Sequence, residues 1–172
     1  MKYLLAALCS LATFLANAQL LFPEKCIGQW EGMMRISANG AVRDSVKVVF
    51  TVAPISNDSW TWRMEYLSPK QPMVKDYVLK LKDKDKHIYG TDEGDGIELM
   101  DYAFGNKLYS VFEIPGVLLT ASYELINPNQ LVFEVTSGKK TEATGKDIHN
   151  YSVSSVQRVV LRKVSIGTLA KK

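Results

Sequence analysis

Between Trp30 and Arg162, apolar and polar side chains alternate with a period of two, in runs too short for amphipathic helices. Trp30, Gly32, Met34 and Ile36 alternate with Gln29, Glu31, Met33 and Arg35, and Ala38-Asn39-Gly40 supplies a turn. Val46, Val48, Phe50 and Val52 share one face of the next run, which Ser56-Asn57-Asp58 ends. Trp60, Trp62, Met64 and Tyr66 then alternate with Thr61, Arg63 and Glu65. Successive side chains of a strand point to opposite faces, so each run reads as a strand with one dry and one wet side.

The rhythm continues through residues 73–82, 87–89, 97–103, 107–114, 117–126, 130–136 and 151–164. Turn chemistry separates these runs: the charged stretch 83–86, the polar stretch 91–96, Gly105-Asn106, Pro115-Gly116, Asn127-Pro128-Asn129 and a flexible segment over 137–147. The pattern predicts about ten strands joined by short turns. A flat sheet of that size leaves two open edges, and closure removes them. The expected fold is therefore all-β: a single antiparallel up-and-down β-barrel over residues 29–164. Residues 19–28 form a lead-in, with 20–27 as the one helical candidate, and 165–172 form a disordered tail. A barrel of this strand number has room for a cavity as well as a core.

The first residues bear on compartment. Lys2 precedes an apolar run from Tyr3 to Leu15, and Ala16-Asn17-Ala18 follows with the small-x-small pattern of a cleavage site. Residues 1–18 are expected to be a removed signal peptide, which makes the protein exported, either periplasmic or secreted. The later sequence has no run of about 20 apolar residues, so no membrane-spanning helix is expected after cleavage. Of the two cysteines, Cys9 lies within the signal; Cys26 would then stand alone, a buried or unpaired thiol, and the core must hold the fold without a disulfide.

Composition narrows function by exclusion. Lys and Arg total 21 against 18 acids and are scattered, which gives no case for nucleic acid. His87 and His149 are far apart, and no Cys or His pair has metal-ligand spacing. Asp92-Glu93-Gly94-Asp95-Gly96 lacks the spaced oxygen pattern of a calcium loop and reads as a turn. There is no Gly-x-Ser-x-Gly, and Glu98 and Asp101 have opposite strand parity, so they do not pair as acid and base. The expectation is a non-catalytic protein with no metal and no cofactor.

The aromatic residues are the positive signal. Trp60, Trp62 and Tyr66 share a face with Met64, and Phe112, Tyr123 and Phe133 lie on apolar faces of later strands. Gathered in a barrel, they form either a packed core or the wall of an apolar pocket.

Gly28-Gln29-Trp30-Glu31-Gly32, at the start of such a meander, resembles the Gly-x-Trp opening of the calycin superfamily, which holds the lipocalins and fatty-acid-binding proteins. The resemblance implies a lipocalin-like barrel in which Trp30 closes one end beneath an Arg of the final strand. Arg158 and Arg162 are available, and Arg162 is the nearer to the end. The same five residues look like the start of nitrobindin-type haem barrels, where a late-strand His ligates iron; His149 is the residue available, while Met34 stands where that pattern continues with Gly.

The leading expectation is a binder of a small hydrophobic molecule. Trp60, Trp62, Met64, Tyr66, Phe112, Tyr123 and Phe133 would line its site, and Tyr151 or Arg158 would orient a polar head. Two alternatives stay open: an interaction module with a filled barrel, and a haem barrel. The sequence leaves the oligomeric state undetermined.

Overall fold

The computed structural model describes residues 20–142 and 150–165. The expected signal peptide 1–18, His149 and the chain from 166 onward lie outside these residues. A short helix α1 (Phe22–Cys26) precedes β1 (Gly28–Ala38), β2 (Ala41–Val52), β3 (Pro54–Ser56), β4 (Ser59–Tyr66), β5 (Met73–Asp83) and β6 (Ile88–Asp92). Then come β7 (Glu98–Phe104), β8 (Lys107–Ile114), β9 (Val117–Asn127), β10 (Gln130–Lys140) and β11 (Tyr151–Lys163).

From β3 to β11 each strand pairs antiparallel with the next, as β1 does with β2, and two further pairings close the sheet on itself. β1 pairs with β11 at Trp30 opposite Lys163 and at Arg35 opposite Arg158. β2 pairs with β4 from Val48 opposite Tyr66 to Thr51 opposite Arg63. Of the eleven strands in the sheet, only three-residue β3 stands outside the ring, beside the start of β4, so the barrel has ten. First and last strands are neighbours, as an up-and-down barrel requires.

Most strand ends fall within a residue of the sequence expectation, and the larger differences have local causes. β3 is not legible in the sequence, because Pro54-Ile55-Ser56 is too short to show a period. β6 runs to Asp92, so Thr91 belongs to a strand and not to the polar turn. β10 continues to Lys140, which removes the first residues of the expected flexible segment.

The alternation sorts side chains as a closed sheet must. Trp30, Met34, Val48, Phe50, Trp60, Trp62, Leu79, Leu131 and Leu161 are buried inside. Outside, charges pair across strands: Lys47 with Glu31 at 2.7 Å, Arg63 with Asp76 at 2.9 Å and Lys107 with Glu124 at 3.2 Å. Such half-exposed pairs contribute little stability each, and they keep the outer face polar. Asn39 and Gly40, at φ 52° and 73°, form the left-handed pair that a tight β1–β2 hairpin needs.

The two ends of the barrel differ. α1 lies across one of them, with Leu21, Phe22 and Cys26 buried in the core. Pro23 in its first turn suits the helix start, where no backbone donor is required. The Trp30 indole N–H donates to the Cys26 carbonyl at 2.8 Å, so the first strand holds the helix directly.

The cation over Trp30 is Lys163, its ammonium 5.1 Å from the ring. This corrects the expectation for Arg162. Cross-strand partners share a face, and Arg162 is opposite Glu31, which points outward, while Lys163 is opposite inward Trp30. Cys26 is fully buried, and burial pushes its thiol up to about 12. It is therefore a packing group in the folded state.

Two predictions follow from this packing. Gly32 lies where β1 approaches β11: a Cβ there would sit 2.5 Å from the Val160 carbonyl oxygen and 2.7 Å from Val159 Cγ2. Gly32→Ala should lower unfolding free energy by about 1–3 kcal/mol in urea titration, the usual cost of overpacking. In a thiol-reagent assay near neutral pH, denaturing the protein should expose one additional reactive thiol, that of Cys26.

Candidate functional site

The inner side chains do not fill the barrel evenly. Near α1 they are large and close-packed; toward the other end they leave a cavity of about 280 Å³ open to solvent. Its floor is aromatic. Phe50 stacks on Tyr123 at 5.1 Å between ring centroids, and Tyr123 stacks on Phe133 at 4.5 Å. Trp62 meets Phe50 and Tyr123 edge-on at 4.9 and 5.0 Å, and contacts Phe22 of α1 at 6.3 Å. Offset and edge-on ring pairs of this kind add to the stability of burial itself. The interior is thus a packed core below and a pocket above.

Of the residues expected from sequence, Trp62, Met64, Tyr66, Phe112, Tyr123 and Phe133 lie on the cavity wall. Trp60 faces inward but belongs to the layer beneath, against Tyr89 at 6.4 Å.

Tyr151 and Arg158 are not on the wall. Gln157, Val159 and Leu161 point inward, so Arg158 between them points outward and pairs with Glu134 at 3.2 Å. Tyr151 has the parity of Gln157, but the strand is interrupted on the way. Ser137 pairs with Ser155 and Gly138 with Val153, leaving Ser154 as an extra residue. One extra residue reverses the faces of everything beyond it, and the Tyr151 hydroxyl donates to Glu113 at 3.1 Å.

The polar groups of the pocket come from residues that the sequence did not single out. At the mouth, Lys75 and Tyr77 are two apart on β5 and share the inner face; the ammonium donates to the Tyr77 hydroxyl at 2.8 Å. Glu93 and Gln157 complete this rim. Burial, with Tyr77 beside it, pushes the Tyr66 hydroxyl up to about 12. Burial also raises Tyr77, and the bond from Lys75 pulls it partly back. Deeper, Trp62 Nε1 lies beside the Tyr123 hydroxyl but completes no hydrogen bond among the described residues.

The second polar cluster is buried. Thr91 and Ser110 are on the wall, and behind them stands Asp101, only 1 % exposed. Thr91 Oγ1 donates to Asp101 Oδ2 at 2.7 Å, and the Ser110 hydroxyl donates to Oδ1. Burial pushes the Asp101 carboxyl above the ordinary carboxylate range, and bonds from Ser110 and Thr91 pull it part of the way back. Glu98, of opposite parity, points outward to Lys82 at 2.5 Å. Asp101 therefore has no carboxylate partner on β7. A signal for it existed: in the run 98–104, Asp101 occupies an inward position between Leu99 and Ala103.

Other candidate sites are spent on local structure. Asp92 accepts from the Gly94 amide at 2.9 Å and pairs with Lys80 at 2.7 Å, and Asp95 accepts from the Ile97 amide at 3.1 Å. Among the described residues, no three His, Cys, Asp or Glu side chains stand together as a metal site. No described helix is long and apolar enough to cross a membrane.

No protein-family model and no curated protein matches this sequence. Solved structures do match in shape. The S-type phycobiliprotein lyase CpeS of Guillardia theta superposes with a TM-score of 0.62 at 8% identity, over 84% of this chain and 91% of that one. A DUF3598-family protein of unknown function from Nostoc punctiforme gives 0.59 at 11% identity, over 84% of this chain and 50% of that one. Rv2717c of M. tuberculosis gives 0.53 at 13% identity, over 82% of this chain and 94% of that one. At these identities the likeness concerns the fold, which is the lipocalin-like, calycin-type barrel that the Gly-x-Trp motif implied.

Asp101 generates a pH prediction. Its folded pKa lies above its unfolded one, so the folded chain holds that proton more tightly. Its contribution to stability is then lost as pH rises from the unfolded value through the folded one. Subtracting the unfolding free energy of Asp101→Asn from that of the wild type cancels the other titrating groups. The difference should fall as pH rises past the unfolded carboxylate value and level off once the folded carboxyl has ionised. A flat difference would show that the carboxyl is not perturbed.

Proposed function

We propose that this protein is an exported binder of a small, largely apolar molecule, held in the open half of the barrel. The observation that carries the reading is the cavity of about 280 Å³, floored by stacked rings and open to solvent. An apolar cavity of about 150 Å³ already accepts benzene, so this one suits a molecule of roughly two fused rings. It is short for an extended acyl chain. Affinity would come mainly from apolar burial, at about 25 cal/mol per Å² removed from water. The mouth groups Lys75, Tyr77 and Gln157 would meet whatever polar end remains near solvent, the part first assigned to Arg158 or Tyr151.

Export rests on the N-terminal sequence, with its apolar run and Ala16-Asn17-Ala18. A fold held by packing, with Cys26 sealed in the core, suits an oxidising compartment, since it offers no accessible thiol there.

A second reading, an interaction module working through its outer surface, is favoured by one observation. Tyr102, Phe104, Tyr109 and Val111 form an apolar patch on the outside of β7 and β8, with Phe104 69 % exposed. The haem reading gains nothing from the described wall. His87 sits in a turn at φ 53°, and His149 lies outside the described residues.

A naphthalene-type fluorescent probe titrated into the protein should give saturable enhancement. Ala121→Phe fills the cavity from its wall and should weaken that binding at least tenfold while leaving the circular dichroism unchanged. Equal binding by both proteins would place the probe elsewhere and remove the proposal.

A further inference from the structure

The buried cluster behind the wall specifies more than an apolar ligand. Thr91 and Ser110 come from β6 and β8, and Asp101 from β7 between them, so one strand holds the carboxylate and its two neighbours hold the hydroxyls. All three face inward, and the hydroxyl-bearing residues line the cavity while Asp101 is screened behind them.

A hydroxyl carries one proton and two lone pairs. Each of these hydroxyls directs its proton to a different oxygen of Asp101. What remains to face the cavity is lone pairs only, from two acceptors on the strands that flank β7. The carboxylate fixes that polarity, because an ionised carboxylate accepts and cannot donate. Its negative charge, poorly screened in an apolar interior, further favours a donor in front of it.

We infer that the pocket selects an apolar molecule carrying an N–H or O–H donor, which Ser110 and Thr91 accept at the cavity wall. This rests on the proposed binding function and names the chemical class that function serves: hydroxylated or N–H-bearing aromatic and alicyclic compounds, in preference to their O- or N-methylated counterparts. Donor-free hydrocarbons of the same shape enter the pocket but leave both acceptors facing apolar surface. A hydrogen-bonding site discriminates against the analogue that lacks its partner, because its own buried polar groups are then left unpaired.

Protonation of Asp101 alters the pattern in a defined way. The neutral acid becomes a donor to one hydroxyl, and that hydroxyl's proton is freed toward the cavity. The site then presents one donor and one acceptor, so preference for a donor-bearing ligand should weaken as pH falls through the Asp101 titration.

The test compares 2-naphthol with 2-methoxynaphthalene on the mature protein, by fluorescence or calorimetric titration. Wild type should bind 2-naphthol tighter by about tenfold beyond the difference expected from their partition into an apolar solvent. The double variant Thr91→Val with Ser110→Ala should lose that excess and bind both compounds alike. Equal wild-type affinities, or an excess that survives in the double variant, overturn the inference and leave the apolar pocket standing. Binding of neither compound to wild type removes the pocket reading itself. The wild-type comparison decides even if the double variant, which strips Asp101 of its partners, does not fold.

Discussion

The structure depends on a ladder that returns to its own beginning. β1 pairs with β11 on one side and with β2 on the other, and β2 pairs with β4 over Val48–Thr51, so the sheet meets itself in a ring. Once the ring is closed, the pleat leaves no freedom about direction. Every second side chain goes inward, and a residue's chemistry is decided by parity before it is decided by type. Trp30, Phe50, Trp62 and Leu161 make the core for that reason, and Arg158 and Arg162 are excluded from it for the same reason.

Closure also forces a difference between the ends. A ten-stranded ring is too wide for ordinary side chains to fill along its whole length. Here the lower half is filled by Trp30, Trp60, Tyr89 and the leucines around them, and α1 covers that end through Phe22 and Cys26. The Trp30 indole ties the two together by its bond to the Cys26 carbonyl, with Lys163 above the ring. In the upper half Ala121, Ser110 and Thr91 stand among the larger wall residues, and there the volume stays open. The site is what a wide ring leaves where no helix covers its end.

That construction explains what could be read from the sequence. Period two in the Trp60 to Tyr66 run identified an inward face correctly, and the same reasoning placed Phe112, Tyr123 and Phe133 on that face. Arg158, expected inward to orient a polar head, alternates with inward Gln157 and Val159 and so points outward. Tyr151 was beyond parity, because the extra residue Ser154 cannot be seen without the partner strand. Thr91 looks in sequence like part of the Gly-rich turn that follows, although it is the last inward residue of β6. Polar inward residues are the hardest to recognise, since alternation is detected by the very apolarity they lack.

Asp101 is the case where this matters most. A carboxylate 1 % exposed in an apolar barrel is a cost to stability, one that two hydroxyl donors reduce without abolishing, as its raised pKa records. A leucine at the same position would be buried with no such penalty, as Leu79, Leu108 and Leu131 are elsewhere in the core. Thr91 and Ser110 would then be free to rotate and would present an undefined mixture of donor and acceptor to the cavity. With Asp101 present, the two protons are fixed and the wall has a single polarity. The destabilising residue is thus the one that gives an otherwise oily cavity a direction, and that is the property a selective binding site requires and a merely packed core does not.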